Sequence, residues 1–210
     1  MKETAADSIY RQVRHKIITG EYDRNQFLIE RDIALEYSVS RAPVRDALQR
    51  LVQEGYLVSY ARKGHLVNHI SGNTLIQIQQ FRFHMESMSL AFIIHNASDD
   101  EISSLFELAD SEGPPAKTDE YLTANTLFHT ELAKLSKNKL LADAVHHYSG
   151  QASLAVFQNP LLIEKRPDYH REILNALLDR DFKTAQKYLA MDMQIEVSES
   201  NEFLLPFKAE

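Results

Sequence analysis

The chain of 210 residues carries 23 Lys and Arg against 30 Asp and Glu, a formal net charge of −7. Hydrophobic residues make up 44% of it, enough to bury a substantial core, which excludes a globally disordered protein. It contains no cysteine, which excludes a disulfide framework and any thiolate metal site or nucleophile.

Charge is distributed unevenly along the chain. Residues 1–70 hold 11 Lys and Arg against 9 Asp and Glu, whereas residues 71–210 hold 12 against 21. A mildly basic head on an acidic body is typical of a DNA-binding module joined to a domain with another task. No apolar run approaches the roughly 18 residues that a membrane span needs. The N-terminus also has no apolar signal region, so we expect a cytoplasmic protein with no membrane partner.

Two helices are predicted at the start of the chain. The first is indicated by apolar residues at helical spacing, which are Ile9, Val13, Ile17 and Ile18. It is expected to end at Gly20, because glycine is common just after helix C-termini. A second helix is predicted over about residues 30–36, where Ile33 and Ala34 would be buried.

The run from Ser40 to Leu51 predicts a third helix with the properties of a recognition helix. Ser40 can cap it by accepting a backbone N–H bond, and Pro43 is tolerated only in a first turn. Arg41 and Arg45 project from its N-terminal half, the part that reaches base edges and phosphates in a major groove. The core-facing residues recur at helical spacing and are Val44, Leu48 and Leu51.

A basic β-hairpin is predicted directly after this helix. Two β-type runs cover residues 56–60 and 65–69, and the turn 61–64 between them contains Arg62 and Lys63. The order helix, helix, turn, helix, hairpin predicts a winged helix-turn-helix over residues 1–70.

These residues resemble the GntR family of bacterial regulators over about 60 positions in continuous order. The resemblance implies that Arg41, Arg45 and Arg50 contact phosphates or guanines and that Ser40 binds phosphate. It also implies that the wing enters a minor groove. The DNA-contacting positions predicted in this way are Arg31, Ser40, Arg41, Pro43, Arg45, Arg50, Gly64 and His65. The alternative is that these arginines form a solvated helix face.

From Gly72 onward helical periodicity dominates the sequence. Helices are predicted over residues 73–96, 99–112, 119–136, 138–158, 166–179 and 182–200. The predicted fold is therefore mainly α, with the winged helix-turn-helix followed by an all-α bundle of six or seven helices over residues 71–210.

Polar residues interrupt the apolar stripes of this predicted bundle. They are Arg82, Asn125, His129, His170 and Asp192. Polar groups on core-facing stripes need partners, because burying them unpaired costs several kcal/mol. A shared cavity that holds metal, ligand or water would supply such partners.

The segment from Asn125 to His129, followed by Asn138, is similar to a signature of the FCD ligand-binding domain. That domain occurs in the FadR subfamily of GntR regulators, which includes a six-helix VanR-like type. Arg82 and Glu86 fit its first helix, and the spacing of His170 and Asp192 fits its final two helices. The resemblance implies an effector site at Arg82, Asn125, His129 and His170.

The same resemblance implies a divalent metal, which many FCD domains hold through one aspartate and three histidines. This chain has Asn125 where the aspartate is expected and Asp192 where the third histidine is expected. The set Asn125, His129, His170 and Asp192 could bind Zn²⁺, Ni²⁺ or Mn²⁺. The alternative is a ligand pocket without metal.

The leading hypothesis is a transcriptional repressor that binds a palindromic operator in double-stranded DNA as a homodimer. A small organic acid is the expected effector, because Arg82 and any metal would both attract a carboxylate. The alternatives are a metal-responsive regulator and an acyl-CoA-type effector without metal. An enzyme with a water-activating metal is the rival class, but no general-base motif is recognisable, and we expect no catalytic activity.

Overall fold

The computed structural model describes residues 4–22, 25–109, 119–158, 169–197 and 203–204. The N-terminal part, which we call the head, has the element order predicted for a winged helix-turn-helix. Its elements are α1 (Ala5–Ile18), α2 (Glu30–Glu36), α3 (Arg41–Gln53), β1 (Leu57–Tyr60) and β2 (Gly64–Val67).

The two longer head helices begin in different ways. Thr4 and Asp7 form a reciprocal capping box at α1, with the Thr4 hydroxyl accepting from the Asp7 N–H at 3.1 Å. Ser40 occupies the N-cap position of α3, but its side chain makes no capping hydrogen bond, so that prediction is wrong. Pro43 stands at the third helical position and has no N–H, which removes one of the two backbone donors that such a cap can use.

The wing is an antiparallel pair in which Leu57 lies opposite Val67 and Tyr60 lies opposite Gly64. A third segment joins it through Leu28, which exchanges backbone hydrogen bonds with His65 at 2.7 and 3.0 Å. Gly64 has φ +110, and a Cβ there would lie 2.5 Å from the Leu28 carbonyl oxygen. Glycine at this position therefore permits the close approach of the two backbones.

The C-terminal part, which we call the bundle, is mainly helical, as predicted. Its elements are α4 (Gly72–Asn96), α5 (Asp99–Ser103), α6 (Phe106–Ala109), α7 (Asp119–Leu135), α8 (Lys139–Gln158), α9 (His170–Leu178), α10 (Phe182–Asp192), β3 (Glu196–Val197) and β4 (Phe203–Leu204). Among the described residues, no helix combines the length and apolar character needed to cross a bilayer.

Two predicted helices differ from the structure. The helix predicted over 99–112 is divided into α5 and α6 by a turn at residues 104–105, and its last three residues lie outside the described ones. The helix predicted over 182–200 ends at Asp192, because Gln194 has φ 53 and residues 196–197 pair with residues 203–204 as strands. Of the helix predicted over 166–179, the first residues lie outside the described ones.

The apolar core of the head extends into the bundle. The head supplies residues of all three helices and the wing, including Val44, Leu48 and Leu51 of α3, all fully buried. The same cluster contains Ile78 of α4 and Ala152, Leu154 and Ala155 of α8. A second cluster, built from α4, α5, α6, α7, α9 and α10, forms the core of the bundle itself.

Candidate nucleic-acid interface and candidate metal centre

The N-terminal half of α3 presents Arg41 and Arg45 on the surface of the head. Arg45 forms a two-point ion pair with Glu30 at the start of α2, with Nε–Oε1 at 3.0 Å and Nη2–Oε2 at 2.9 Å. The hydrogen bond from Arg45 holds the pKa of Glu30 below its usual range. Because the Arg45 side chain is 58% exposed, solvent screens this pair and DNA phosphate can compete with Glu30 for the guanidinium.

Three further predicted DNA-contacting residues lie around the starts of α2 and α3. Ser40 is exposed, and Pro43 is half-buried in the first turn of α3. Arg31 is exposed beside Asp32, with its Nε 3.0 Å from Oδ1. The hydroxyl of Ser40 therefore faces solvent without a role in holding the helix.

Arg50 lies on a different face of α3 from the other two arginines. It is nine residues from Arg41, and at 3.6 residues per turn this places it half a turn away. Its Nη1 donates to Oδ1 of Asp7 at 2.9 Å, and its guanidinium lies 4.2 Å from the ring centre of Tyr10. In the structure Arg50 therefore holds α3 against α1.

At the wing, the predicted contacts Gly64 and His65 directly follow the hairpin turn, and His65 pairs with Leu28. The Nδ1 of His65 is 2.9 Å from the Ser59 hydroxyl, and partial burial lowers the pKa of His65. The exposed tip is formed by residues 61–63, which include the basic side chains of the predicted turn.

The polar residues of the bundle meet in one buried cluster. Arg82 and Glu86 come from α4, His129 from α7, His170 from the start of α9 and Asp192 from the end of α10. Every one of these side chains is at least nine-tenths buried. Glu86 fits the first bundle helix in the sequence, but it is not among the predicted site residues. Its four-residue spacing from Arg82 on a buried stripe was the available signal.

Within the cluster, positive and negative groups alternate. Glu86 Oε1 accepts from Nε and Nη2 of Arg82 at 3.1 and 3.0 Å, while its Oε2 lies 2.6 Å from His129 Nδ1. The other ring nitrogen of His129, Nε2, lies 3.1 Å from Asp192 Oδ2. The second oxygen of Asp192 lies 3.7 Å from His170 Nε2.

These contacts determine the protonation of His129. Burial opposes the charged imidazolium, but the carboxylates of Glu86 and Asp192 outweigh that cost and raise the pKa of His129 to about 9. Burial likewise opposes the charges of the two carboxylates, but the facing cations hold the pKa values of both well below their usual range. Near neutral pH the four charges of Arg82, Glu86, His129 and Asp192 cancel.

An aromatic stack fixes the orientation of His170. The ring of His170 lies 3.8 Å from that of Phe128, with an interplanar angle of 17°. The ring of His129 stands almost perpendicular to that of His170, at 5.2 Å between centres. The two imidazoles therefore approach Asp192 from different directions.

The donor atoms present fit a divalent transition metal. One atom each from His129, His170 and Asp192 lie within 4.8 Å of one another. Two imidazoles and one carboxylate, with a further position open, are a donor set that Zn²⁺ uses in proteins. Glu86 would then orient His129 by accepting its Nδ1–H, as carboxylates beside metal-bound histidines do.

The two asparagines of the predicted FCD signature differ in their relation to the buried cluster. Asn125 is half-buried on α7, one turn before His129. Asn138 lies at the start of α8, where its Oδ1 accepts from the N–H groups of Leu140 and Leu141 at 3.1 and 3.4 Å. Asn138 thus has a structural role as a helix cap.

Comparison with known families gives two matches. Residues 5–67 match the family described as "Bacterial regulatory proteins, gntR family", and residues 77–194 match the FCD domain. The Nta operon transcriptional regulator of Aminobacter aminovorans is 31% identical over 153 residues, which cover 72% of this chain and 73% of that protein.

A relative with a solved structure confirms the fold along most of the chain. The transcriptional regulator McbR of Escherichia coli is 23% identical over 199 residues, covering 89% of this chain and 88% of that protein. Its structure superposes with a TM-score of 0.66 at 20% identity over 92% of this chain and 95% of that one. These relatives are transcriptional regulators and not enzymes, in agreement with the expectation from the sequence.

Proposed function

Because this chain belongs to the GntR family and carries an FCD domain, we propose that it is a transcriptional repressor controlled by a small organic acid. The observation that carries the proposal is the separation of two charged sites. An exposed arginine pair begins α3, and a buried ionic cluster lies inside the bundle. The first is suited to reading DNA and the second to holding an effector.

In the proposed complex the N-terminal half of α3 enters a major groove. Arg41 and Arg45 contact bases or phosphates there, and the exposed Ser40 hydroxyl donates to a phosphate. Arg62 and Lys63 at the wing tip are exposed cations that directly precede the predicted wing contacts Gly64 and His65. We include them in the interface because the tip projects beyond Gly64 and His65.

The charges of the cluster support an anionic effector when a metal is bound. A divalent ion held by His129, His170 and Asp192 supplies positive charge for a carboxylate group. With His129 neutral in that state, Arg82 and the ion together exceed Glu86 and Asp192 by one positive charge. Asn125 would contribute its amide oxygen from the preceding turn of α7.

Two alternatives keep the same site. A regulator whose signal is the metal itself is favoured by the three donor atoms within 4.8 Å. An acyl-CoA-type effector without metal is favoured by the neutral cluster that the His129 proton completes. Titrating DNA binding with metal alone, with organic acids alone and with coenzyme A thioesters alone distinguishes the three.

A homodimer is supported by the exposed face of α4. Apart from histidines, the only charged residues of this helix are Arg82 and Glu86, and both are buried. Its exposed face instead carries Phe81, Met88 and Phe92, each at least 40% exposed. Three large apolar side chains on an exposed face without lysine, arginine or carboxylate are atypical of a helix that faces solvent.

The sequence of that face is compatible with a second copy of the same helix. If two antiparallel α4 helices cross on a two-fold axis at Met88, Phe92 lies opposite His84 of the partner subunit. Met88→Glu should then shift the protein from dimer to monomer in analytical ultracentrifugation. Leu140→Glu, a change at an 81% exposed residue of α8, is the matched control. A Met88→Glu protein that sediments as a dimer would contradict this interface.

The test of DNA reading is selection of bound duplexes from a random-sequence pool. We expect enrichment of a palindromic sequence with half-sites about one helical turn apart, because two-fold symmetry of the protein is mirrored in the site. Fluorescence anisotropy with the enriched duplex then gives the affinity. A pool without enriched sequences would contradict specific DNA binding.

A further inference from the structure

Helix α8 belongs to the bundle, yet its second half is built into the head. It contacts two head segments, residues 53–55 after the recognition helix and residues 68–70 after the wing. We call the set of these contacts the α8 seam.

The closest part of the seam is a contact between two backbones. A Cβ at Gly150 of α8 would lie 2.0 Å from the Glu54 carbonyl oxygen, at the residue that ends α3. A Cβ at Gly55, which has φ +76, would lie 2.4 Å from Cγ of Gln151. Gly150 therefore cannot gain a methyl group without moving α8 away from the Glu54 backbone, whereas a methyl group at Gly55 would displace the Gln151 side chain.

Side-chain hydrogen bonds extend the seam on both sides of this contact. His147 Nδ1 lies 2.7 Å from the Gln53 carbonyl oxygen, which can only accept, so Nδ1 carries the hydrogen. Its Nε2 can then accept from the Gln151 amide at 2.8 Å. Further along α8, Gln158 donates to the Asn68 carbonyl at 2.6 Å and accepts from the Ile70 N–H at 3.0 Å.

An adjacent face of α8 contacts the helix that carries His129. Ser153 and Thr126 are joined by their hydroxyls at 2.9 Å, and Thr130 lies 3.3 Å from His146 Nδ1. His146 Nε2 in turn lies 3.8 Å from a carboxylate oxygen of Glu54. Helix α8 therefore contacts both α7, which carries His129 of the buried cluster, and the end of the recognition helix α3.

We infer that α8 is a shared element of head and bundle, so that the two parts open as one cooperative unit and α8 carries displacements to the recognition helix. The apolar contacts support this, since Ala152, Leu154 and Ala155 of α8 complete the core that holds α3. The transmission of an effector signal rests on the proposed function, whereas the cooperative opening does not.

The test is amide hydrogen exchange of the full chain, compared with Gly150→Ala. Because alanine favours helices more than glycine does, this change stabilises α8 unless the seam is disrupted. We expect the amides of residues 44–51 to exchange at least about ten-fold faster in the variant, and those of α9 to be accelerated with them, because one cooperative unit loses stability as a whole. Gly72→Ala, at a position with no atom within 4 Å of the added methyl group, is the control. Unchanged exchange at residues 44–51 in Gly150→Ala would overturn the inference.

A second variant avoids the steric clash. The double change His147→Ala, Gln158→Ala removes the polar contacts only, and a several-fold acceleration at residues 44–51 is expected. It decides the question if the glycine variant does not fold, since unchanged rates would then overturn the inference. Adding the selected DNA duplex should slow exchange in α8 of the natural protein but not of the variants. Failure of DNA binding would appear as a missing anisotropy signal, independent of the exchange rates without DNA.

Discussion

Two arginine–glutamate pairs in this molecule have the same chemistry and opposite surroundings. Arg45 and Glu30 pair on the head surface with side chains 58% and 28% exposed, whereas Arg82 and Glu86 pair in the bundle at 4% and 2%. The exposed pair is screened by water and can exchange its glutamate for a phosphate. The buried pair has no such freedom, and His129 and Asp192 extend it to a cluster of four charged groups whose charges also cancel. The same kind of contact is therefore open to competition by another anion at the surface and fixed in the core.

The largest effect is expected from breaking the buried pair. Glu86→Ala leaves the charges of Arg82 and His129 buried without their shared carboxylate, and should lower the free energy of unfolding by about 3–5 kcal/mol. Urea denaturation measures it. The control Glu131→Ala removes a glutamate that pairs with Lys134 at the surface and should change stability by less than about 1 kcal/mol. Equal stability of the two variants would contradict the account of the cluster.

The cluster should also make stability dependent on pH at the alkaline side. The pKa of His129 is raised to about 9 in the folded protein, above the unfolded value of about 6.5. The stability that protonated His129 contributes to the folded protein is therefore fully present below a pH of about 6.5 and is lost as the pH rises through about 9. Unfolding curves of the natural protein and of His129→Gln across this range measure it. If both proteins lose the same stability, His129 is not the titrating group.

Breaking the exposed pair should affect DNA binding and leave the fold intact. Arg45→Ala should weaken binding to the selected duplex by about 1–3 kcal/mol if the contact is to a base. Lys139→Ala, which removes an exposed cation from α8, is the control in the same anisotropy titration. An unchanged affinity would remove Arg45 from the interface.

The smallest effect is expected from Glu30→Gln. It releases Arg45 from its ion pair and should change stability by less than about 1 kcal/mol, since exposed pairs contribute little. Affinity for DNA should rise slightly, because phosphate no longer competes with a carboxylate. Weaker DNA binding in this variant would show that Glu30 instead positions Arg45 productively.

The elements of the head and the helical character of the bundle could be predicted from the sequence, because both depend on the local spacing of apolar residues. The bounds of α2 were predicted as observed, and Val44, Leu48 and Leu51 are fully buried as their spacing required. The interruption of apolar stripes by His129, His170 and Asp192 correctly indicated that these residues meet. The capping prediction for Ser40 was wrong, and Pro43 removes one of the two backbone donors on which such a cap depends.

Non-local contacts could not be read from the chain in the same way. Arg50 has the same residue type as Arg45, and only the packing of α1 shows that it faces Asp7 and Tyr10. Likewise, nothing local to α8 indicates that Gly150 contacts Glu54, nearly one hundred residues earlier in the chain. Such contacts depend on how the elements pack.

The most direct test of control by the bundle is an operator titration under changed ligand conditions. The affinity for the selected duplex is measured by anisotropy without addition, with Zn²⁺, Ni²⁺ or Mn²⁺, and with each ion plus a panel of small carboxylic acids. We expect a change of about five-fold or more in the natural protein under at least one condition. No change is expected in His170→Ala, which retains the head. The same affinity of the natural protein under every condition would contradict control of DNA binding by the bundle.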